Sequence, residues 1–431
     1  MPRNESSLAH TESFQVDIKL YTDCEKQSRH DMIENRCGLW GSSLKAVEFD
    51  KAPFEIIDGD RGKNYPKQNE FMGSGYCLFL SAANVTKTGF SFDQCLFIDE
   101  SKDAVLNKGK LKREDIVLTT RGTIGNTAYF SRTVPFNNIR INSGMVILRC
   151  DQSRISPPFL YHFLRSPSFY QQVNSLRSGA AQPQLPIRDM RRIILPLPPL
   201  PIQKRIAGIL SAYDELIENN QRRIKILESM ARSLYREWFV HFRFPGHESI
   251  PLVTSPIGPI PKGWEVKKLG EVLELNYGKA LKKEERKDGP FPVYGSSGIV
   301  GKHDASLVKG PGIIVGRKGN VGSVFWCDYD FFVIDTAYYV TSCLPLRYLF
   351  YVLPTLNFIN SDAAVPGLSR NQAYTLEILV PPVALLEKFC ELADSFEYQV
   401  AALQRQTHNL RRTRDLLLPR LLSGQINLAE N

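Results

Sequence analysis

Two short loops hold the residue types best suited to gripping an anion: Arg121-Gly122-Thr123-Ile124-Gly125 and Lys318-Gly319-Asn320-Val321-Gly322. Glycine lets a backbone approach a phosphate closely and aim amide groups at it, and the basic side chain adds charge. The same spacing also suits a β-turn that needs positive φ. Its occurrence in two copies, each led by a strand and a basic residue, favours nucleic-acid contact.

Three other patterns suggest catalysis and are set aside. Ser156-Pro157-Pro158-Phe159 matches the short motif with which amino-methyltransferases hold a target adenine or cytosine, but Cys343-Leu344-Pro345-Leu346 takes its place in the second copy. No glycine-rich S-adenosylmethionine loop accompanies it, and a serine N-cap with prolines opening a helix explains it better. Gly295-Ser296-Ser297-Gly298-Ile299-Val300-Gly301-Lys302-His303 resembles a phosphate loop, yet its glycine spacing is one residue too long and His303 stands where Ser or Thr should bind magnesium. Asp99-Glu100-Ser101-Lys102 suits a charged turn better than a nuclease metal cluster. His162 has no second ligand at helical spacing and reads as a packing residue. No catalytic residue and no metal site is assigned.

The elements that position these loops are also duplicated. Pro199 answers Pro382 at an offset of 183 residues, and the same offset aligns Ser178-Gly179-Ala180-Ala181-Gln182-Pro183-Gln184-Leu185 with Ser361-Asp362-Ala363-Ala364-Val365-Pro366-Gly367-Leu368. The loops themselves are offset by 197, so the second copy is about fourteen residues shorter between loop and helix. After each proline pair runs a long helix. Ile206, Leu210, Tyr213, Ile217, Asn220, Ile224, Leu227, Ala231, Leu234 and Trp238 form the seam of the first. Phe389, Ala393, Phe396, Val400, Leu403, Thr407, Leu410 and Leu417 form that of the second, with Arg414 as its one charged interruption. Alternating steps of four and three residues are coiled-coil spacing, and each seam is the nearest partner for the other. Asn220 and Thr407 either fix register or are tolerated near a water-accessible edge.

Each helix of about 40 residues spans roughly 60 Å, so the second globular segment, opening at Gly263-Trp264, begins near the far end of the first helix. The second helix must then run back along the first, antiparallel to it. A parallel pair would stretch the proline-spaced linker to nearly its limit of about 3.3 Å per residue. Two similar domains at opposite ends of such a pair match the two-fold symmetry of a DNA backbone and a split site on it. Both globular segments read as mixed, with strands such as Asp115 to Thr119, Met145 to Leu148, Gly312 to Val315 and Phe331 to Val340. Short helices around Phe159 to Leu164 and Leu346 to Leu353 follow them.

The 431 residues, 43% hydrophobic and 23% charged, suffice for two or three domains, and a net charge of +9 favours a polyanionic partner. The eight cysteines show no metal or redox spacing. No signal peptide and no apolar run of membrane-spanning length is evident, so a reduced, cytoplasmic setting without a membrane partner is expected.

Together, these features resemble the specificity subunit of type I restriction-modification systems over about residues 44 to 428. The marks are the Leu195 to Ala207 segment with Pro198-Pro199, the Pro261-Lys262-Gly263-Trp264 entry, Phe291-Pro292-Val293-Tyr294-Gly295-Ser296-Ser297-Gly298, and the ending Leu416-Leu417-Leu418-Pro419-Arg420-Leu421-Leu422-Ser423-Gly424. The resemblance implies an α+β fold: two mixed α/β target recognition domains joined by two long antiparallel coiled-coil helices, with a pseudo-two-fold internal repeat. The expected division is a polar leader (1–43), recognition domain 1 (44–198), long helix 1 (199–242), a Pro-rich linker (243–262), recognition domain 2 (263–381), long helix 2 (382–424) and a tail (425–431). The leader is longer than the resemblance implies, either a misplaced start or an extra docking arm.

The implied function is non-catalytic. Each recognition domain reads half of a bipartite site in double-stranded DNA, and the helices set the spacer and dock two modification subunits. Those subunits would methylate adenine using S-adenosylmethionine, while restriction subunits would add ATP- and Mg2+-dependent translocation and cleavage; this chain would bind no cofactor itself. Arg and Lys suit guanine edges, Asn and Gln suit adenine, and all of them also serve phosphates. On that basis the candidate DNA contacts are Arg121, Gly122, Arg140, Asn142, Gln182, Gln184 and Arg188 in the first domain, with Arg317, Lys318, Gly319, Arg370 and Asn371 in the second. Two other classes compete: a coiled-coil scaffold without DNA binding, and a self-sufficient adenine methyltransferase built on Ser156 to Phe159.

Overall fold

The computed structural model describes residues 45–179, 183–358, 367–426 and 428. The expected leader and Gln182 lie outside them, as do the alanine pairs of the repeat. The chain forms two compact units, one ending at Ile217 and resuming at Asn409, the other running from Glu218 to His408.

In the first unit the strands are β1 (Lys45–Glu48), β2 (Phe54–Asp58), β3 (Cys77–Leu80), β4 (Val85–Thr86), β5 (Gly89–Phe90), β6 (Phe97–Ile98), β7 (Ile116–Thr119), β8 (Thr127–Tyr129), β9 (Ile139–Ile141), β10 (Met145–Cys150) and β11 (Ile194–Leu197). Its short helices are α1 (Glu100–Val105), α2 (Pro157–Phe163), α3 (Pro167–Leu176) and α4 (Ile187–Met190). A central sheet runs β2-β10-β7-β8, flanked by a smaller sheet β6-β3-β9 and the pair β1-β11. Period-two alternation splits the central strands between two cores. Ile116, Leu118, Val146 and Leu148 pack with α2, α3 and the long-helix residues Ile206, Leu210, Leu418 and Leu421. Val117, Ile147 and Ala128 face the smaller sheet. A sheet covered on both faces explains why β7 is buried at every position.

The second unit repeats this topology. After the hairpin β12 (Leu252–Ser255) and β13 (Gly258–Pro261) come β14 (Glu265–Lys268), α6 (Leu269–Val272), β15 (Leu273–Tyr277), β16 (Phe291–Gly295), β17 (Gly298–His303), β18 (Gly312–Gly316), β19 (Val324–Cys327), β20 (Phe332–Val333), β21 (Ala337–Ser342), α7 (Leu346–Val352), α8 (Arg370–Tyr374) and β22 (Glu377–Val380). The long helices are α5 (Leu200–Tyr235), which ends in a π-helical turn at Arg236–Val240, and α9 (Val383–Leu422). The sheet order β15-β21-β18-β19 reproduces β2-β10-β7-β8, β17-β16-β20 reproduces β6-β3-β9, and β14-β22 reproduces β1-β11. The shortening of the second copy is spread over three connections: that between β8 and β9, that between β10 and α2, and the segment that holds α3 in the first unit. The first unit also inserts the hairpin β4-β5 and α1 where the second passes from β16 through β17 to β18.

The expected linker is more ordered than its prolines suggest. Pro259 and Pro261 sit two apart on β13, paired with Thr254 and Leu252, so their missing N–H groups fall on the same edge and the hairpin loses nothing it needs.

Both seams are apolar and turned inward. Ile206, Leu210, Ile217 and Asn220 of α5 are buried, and Tyr213, Ile224 and Leu227 are half-buried. On α9, Phe389, Val400, Leu403 and Thr407 are buried, and Phe396, Leu410 and Leu417 are half-buried. Within the first unit the opening of α5 shares a core with the end of α9. Within the second, Ala231, Tyr235 and Trp238 share a core with Leu386, Phe389 and Ala393 at the start of α9. In each unit the two segments therefore run antiparallel. Arg414, the charged seam position, bonds Asp214 of α5, whose other oxygen accepts from Arg165 at 2.6 Å. The interruption is thus a paired ion that ties α9 and the segment after α2 to α5.

Candidate nucleic-acid interface

Each candidate loop is a tight turn between adjacent antiparallel strands, and the two share one hydrogen-bond plan. The amides of Thr120 and Arg121 both donate to the Gly144 carbonyl at 2.8 and 3.2 Å, as those of Arg317 and Lys318 do to Thr336 at 2.9 and 3.1 Å. The Gly125 amide closes on the Thr119 carbonyl at 3.0 Å and the Gly322 amide on Gly316 at 2.9 Å. Gly122 and Gly125 have φ of 71° and 88°, and Gly319 and Gly322 have 78° and 75°, so the left-handed backbone is a real requirement of both turns. The amides of Arg121 and Lys318 are consumed inside the fold, which leaves their exposed side chains as the outward-facing chemistry.

A strap crosses each loop. Leu185 donates to the Thr120 carbonyl at 2.9 Å and Leu368 to Arg317 at 2.7 Å, while Arg121 bridges to Gln184 and Lys318 to Gly367. Gln184-Leu185 and Gly367-Leu368 are therefore the pieces of the repeat that lock the loops in place. In the first unit this brings Arg121, Gly122, Gln184 and, at the start of α4, the exposed Arg188 into one neighbourhood. Asn142 joins them through its side-chain oxygen, which accepts from the Gly144 amide at 2.9 Å.

In the second unit Arg317, Lys318, Arg370 and Asn371 line one concavity of about 350 Å³, together with Tyr277, Tyr338 and Ser369. Arg317 lies 4.9 Å from the centre of the Tyr277 ring and donates to the Asp335 carbonyl at 3.1 Å; Arg370 lies 5.1 Å from the same ring. Among the described residues no carboxylate pairs with Arg317, Lys318 or Arg370. Tyr338 donates its hydroxyl to the Leu368 carbonyl at 3.1 Å, and burial, with the neighbouring Tyr277 hydroxyl, pushes its phenol up to about 12. Gly319 is exposed at the rim of the turn.

Arg140 does not belong to this set. It is 5% exposed, and its guanidinium is spent on Asp103 at 2.5 Å and on the carbonyls of Lys108, Asp103 and Leu106. It is an internal brace between β9 and α1, unavailable to DNA. Gln182 lies outside the described residues. Sequence reasoning missed Tyr277 and Tyr338, which become neighbours only through the β15-β21 register.

The catalytic look-alikes are structural. Pro157 and Phe159 are buried, Phe159 in the core that α2 shares with α5. Ser156 does stand at the N-cap of α2, but its hydroxyl makes no cap bond; its amide donates to Gln203 at 2.9 Å. Asp99 caps α1 by accepting from the Lys102 amide at 2.6 Å. Gly295-Ser296-Ser297-Gly298 is the turn of the β16-β17 hairpin. His162 is 3% exposed and contacts the Ser211 hydroxyl at 3.1 Å; burial, reinforced by Arg165 and Arg414, lowers its pKa to about 4. Asp214 lies 3.9 Å from that ring but is already shared by two arginines, so it fails to hold a proton there. Among the described residues no group of acidic, His or Cys side chains could hold a metal ion, and no helix is long and apolar enough to cross a membrane.

Comparison with known proteins follows the repeat. A family model described as type I restriction modification DNA specificity domain matches residues 54–229 and again 261–384. A chain from Methanocaldococcus jannaschii, the type I restriction enzyme MjaIX specificity subunit, is 25% identical over 352 residues, covering 73% of this chain and 78% of that one. The type I restriction enzyme HindI specificity subunit of Haemophilus influenzae is 20% identical, covering 85% and 98%. The crystal structure of a type I restriction-modification system S subunit from M. genitalium shares the fold, with a TM-score of 0.60 at 18% identity over 90% of this chain and 98% of that one.

Proposed function

This chain belongs to the type I restriction-modification DNA specificity family, and from that premise we infer that it is the sequence-reading, non-catalytic subunit of such a complex. Each unit would read one half of a bipartite target in double-stranded DNA through its basic loop and strap. The observation that carries this is the duplicated loop: one backbone plan holds an exposed cation, Arg121 or Lys318, at the same place in both units. In this reading Arg121, Gly122, Asn142, Gln184 and Arg188 act in the first half-site, and Arg317, Lys318, Gly319, Arg370 and Asn371 in the second.

The long helices would set the unread spacer and dock two modification subunits, with restriction subunits joining them. S-adenosylmethionine, ATP and Mg2+ would be used by those partners, in the cytoplasm. A self-sufficient methyltransferase is disfavoured because the Ser156 to Phe159 motif is committed to packing α2. A scaffold without DNA binding leaves the paired exposed cations without a purpose.

The test is to co-express the chain with the modification subunit encoded beside it and to map N6-methyladenine at base resolution. A split motif with a fixed gap, present only with this chain, is expected. A stable complex that leaves host DNA unmethylated, or one that methylates without sequence preference, would contradict the reading.

A further inference from the structure

The two loops share a backbone, yet the residues that line the cationic concavity of the second unit have different counterparts in the first. The equivalent of Arg317 in the first unit is Thr120, whose amide likewise donates to the carbonyl after β9. The equivalent of Arg370, the first residue of α8, is Ile187, the first of α4. Tyr277 pairs with Tyr338 across β15-β21 where the first unit pairs Asp58 with Val146. The residues lining the concavity are therefore not a requirement of the fold.

We propose that Arg317 and Arg370 form a guanine-reading pair, taking the O6 and N7 edge of one guanine in the half-site read by the second unit. This rests on the DNA-reading function above and names what one of its two sites recognises. Guanidinium groups only donate, and the major-groove edge of guanine offers two acceptors side by side. Both arginines lie over Tyr277, and Arg317 is further tethered to the Asp335 carbonyl, so they are held in place rather than swinging in solvent. A held fork suits a base edge; a phosphate is served equally well by a flexible point charge such as the exposed Lys318. Backbone phosphates are alike in both half-sites, whereas the residues at these positions differ between the units, which again favours a base.

The experiment uses the complex of the full chain with its modification subunits and duplexes carrying its target, each guanine replaced in turn by 7-deazaguanine, which lacks the N7 acceptor. One replacement should weaken wild-type binding about tenfold, within the range expected for part of a bidentate contact. The Arg317→Ala, Arg370→Ala double variant should bind the natural duplex more weakly and no longer respond to that replacement, while keeping its response to bases of the other half-site. An unchanged melting temperature would show that the variant folds. A variant that responds like wild type, or a target with no guanine in that half, overturns the proposal. So does uniform weakening with a shallower salt dependence, which marks phosphate contact. Failure of the wild-type complex to prefer any sequence would instead remove the DNA-reading function itself, and is seen before any variant is tested.

Discussion

The two units differ least in backbone and most in the side chains that backbone holds. One carbonyl in each loop, Thr123 in one and Asn320 in the other, accepts from a hydroxyl; Thr119 at the end of β7 supplies it in the first unit, and Ser323 on the far side of the turn in the second. Gly316 stands where Thr119 does, and a Cβ there would meet Ser323 Oγ at 2.3 Å and the Asn320 carbonyl at 2.1 Å. The same hydrogen bond is thus kept by exchanging which strand provides it. Neighbouring positions are under no such constraint: the buried Thr120 and half-buried Ile187 stand where the second unit has the half-buried Arg317 and Arg370. A scaffold that fixes loop geometry from inside leaves its outer residues free to set what is read.

The docking of the short helix on the long one shows the same contrast and gives the largest expected effect. His162 and Arg165 meet Ser211 and Asp214 in the first unit, and Tyr351 meets Glu397 at 2.9 Å in the second. Asp214→Ala would leave Arg165 and Arg414 without their shared carboxylate and should cost about 3 kcal/mol. Glu397→Gln keeps a hydrogen-bonding partner and should cost about 1 kcal/mol. Urea unfolding of both variants checks the order; equal losses would break the comparison.

Acid should separate the units next. Burial keeps the His162 imidazole neutral down to about pH 4, against 6.5 for a free imidazole. As pH falls through that window the unfolded chain takes up the proton first, so stability present above 6.5 is lost toward 4, by about 2–3 kcal/mol. Tyr351 in the second unit is shifted the other way, upward by burial, and acid leaves it unchanged. Hydrogen exchange at pH 4.5 should therefore open the first unit before the second, and His162→Gln should remove much of that difference.

A smaller effect is expected at the loops. Gly316→Ala has no room and should destabilise the second unit by about 1–3 kcal/mol. Thr119→Gly loses a hydrogen bond and gains backbone freedom in the unfolded chain, for about 1–2 kcal/mol. Thermal melts that rank Thr119→Gly well above Gly316→Ala would mean the hydroxyl exchange is not what holds the turns.

Much of this was legible in the sequence because it is periodic or repeated. The seam positions follow from steps of three and four, and the loops and straps from duplication. What escaped depends on long-range pairing. The sheet order β2-β10-β7-β8 interleaves distant segments, so Tyr277 and Tyr338 meet only once register is known. Arg140 is a candidate by residue type alone, and residue type does not reveal burial. The face it occupies is covered by α1, whose Asp103 neutralises it. The prolines of residues 251–261 read as a linker because sequence does not reveal that two of them share the unpaired edge of a hairpin.

The central claim, that one loop plan is used twice to read two different half-sites, is tested most directly by base-resolution N6-methyladenine maps from cells carrying the wild-type chain, Arg121→Ala or Lys318→Ala, each with the modification subunit. The account predicts that each variant relaxes preference in a different half of the split motif, by about 1–3 kcal/mol of discrimination or a uniform loss confined to that half, with the spacer unchanged. Two variants that alter the same half, or neither, would contradict it.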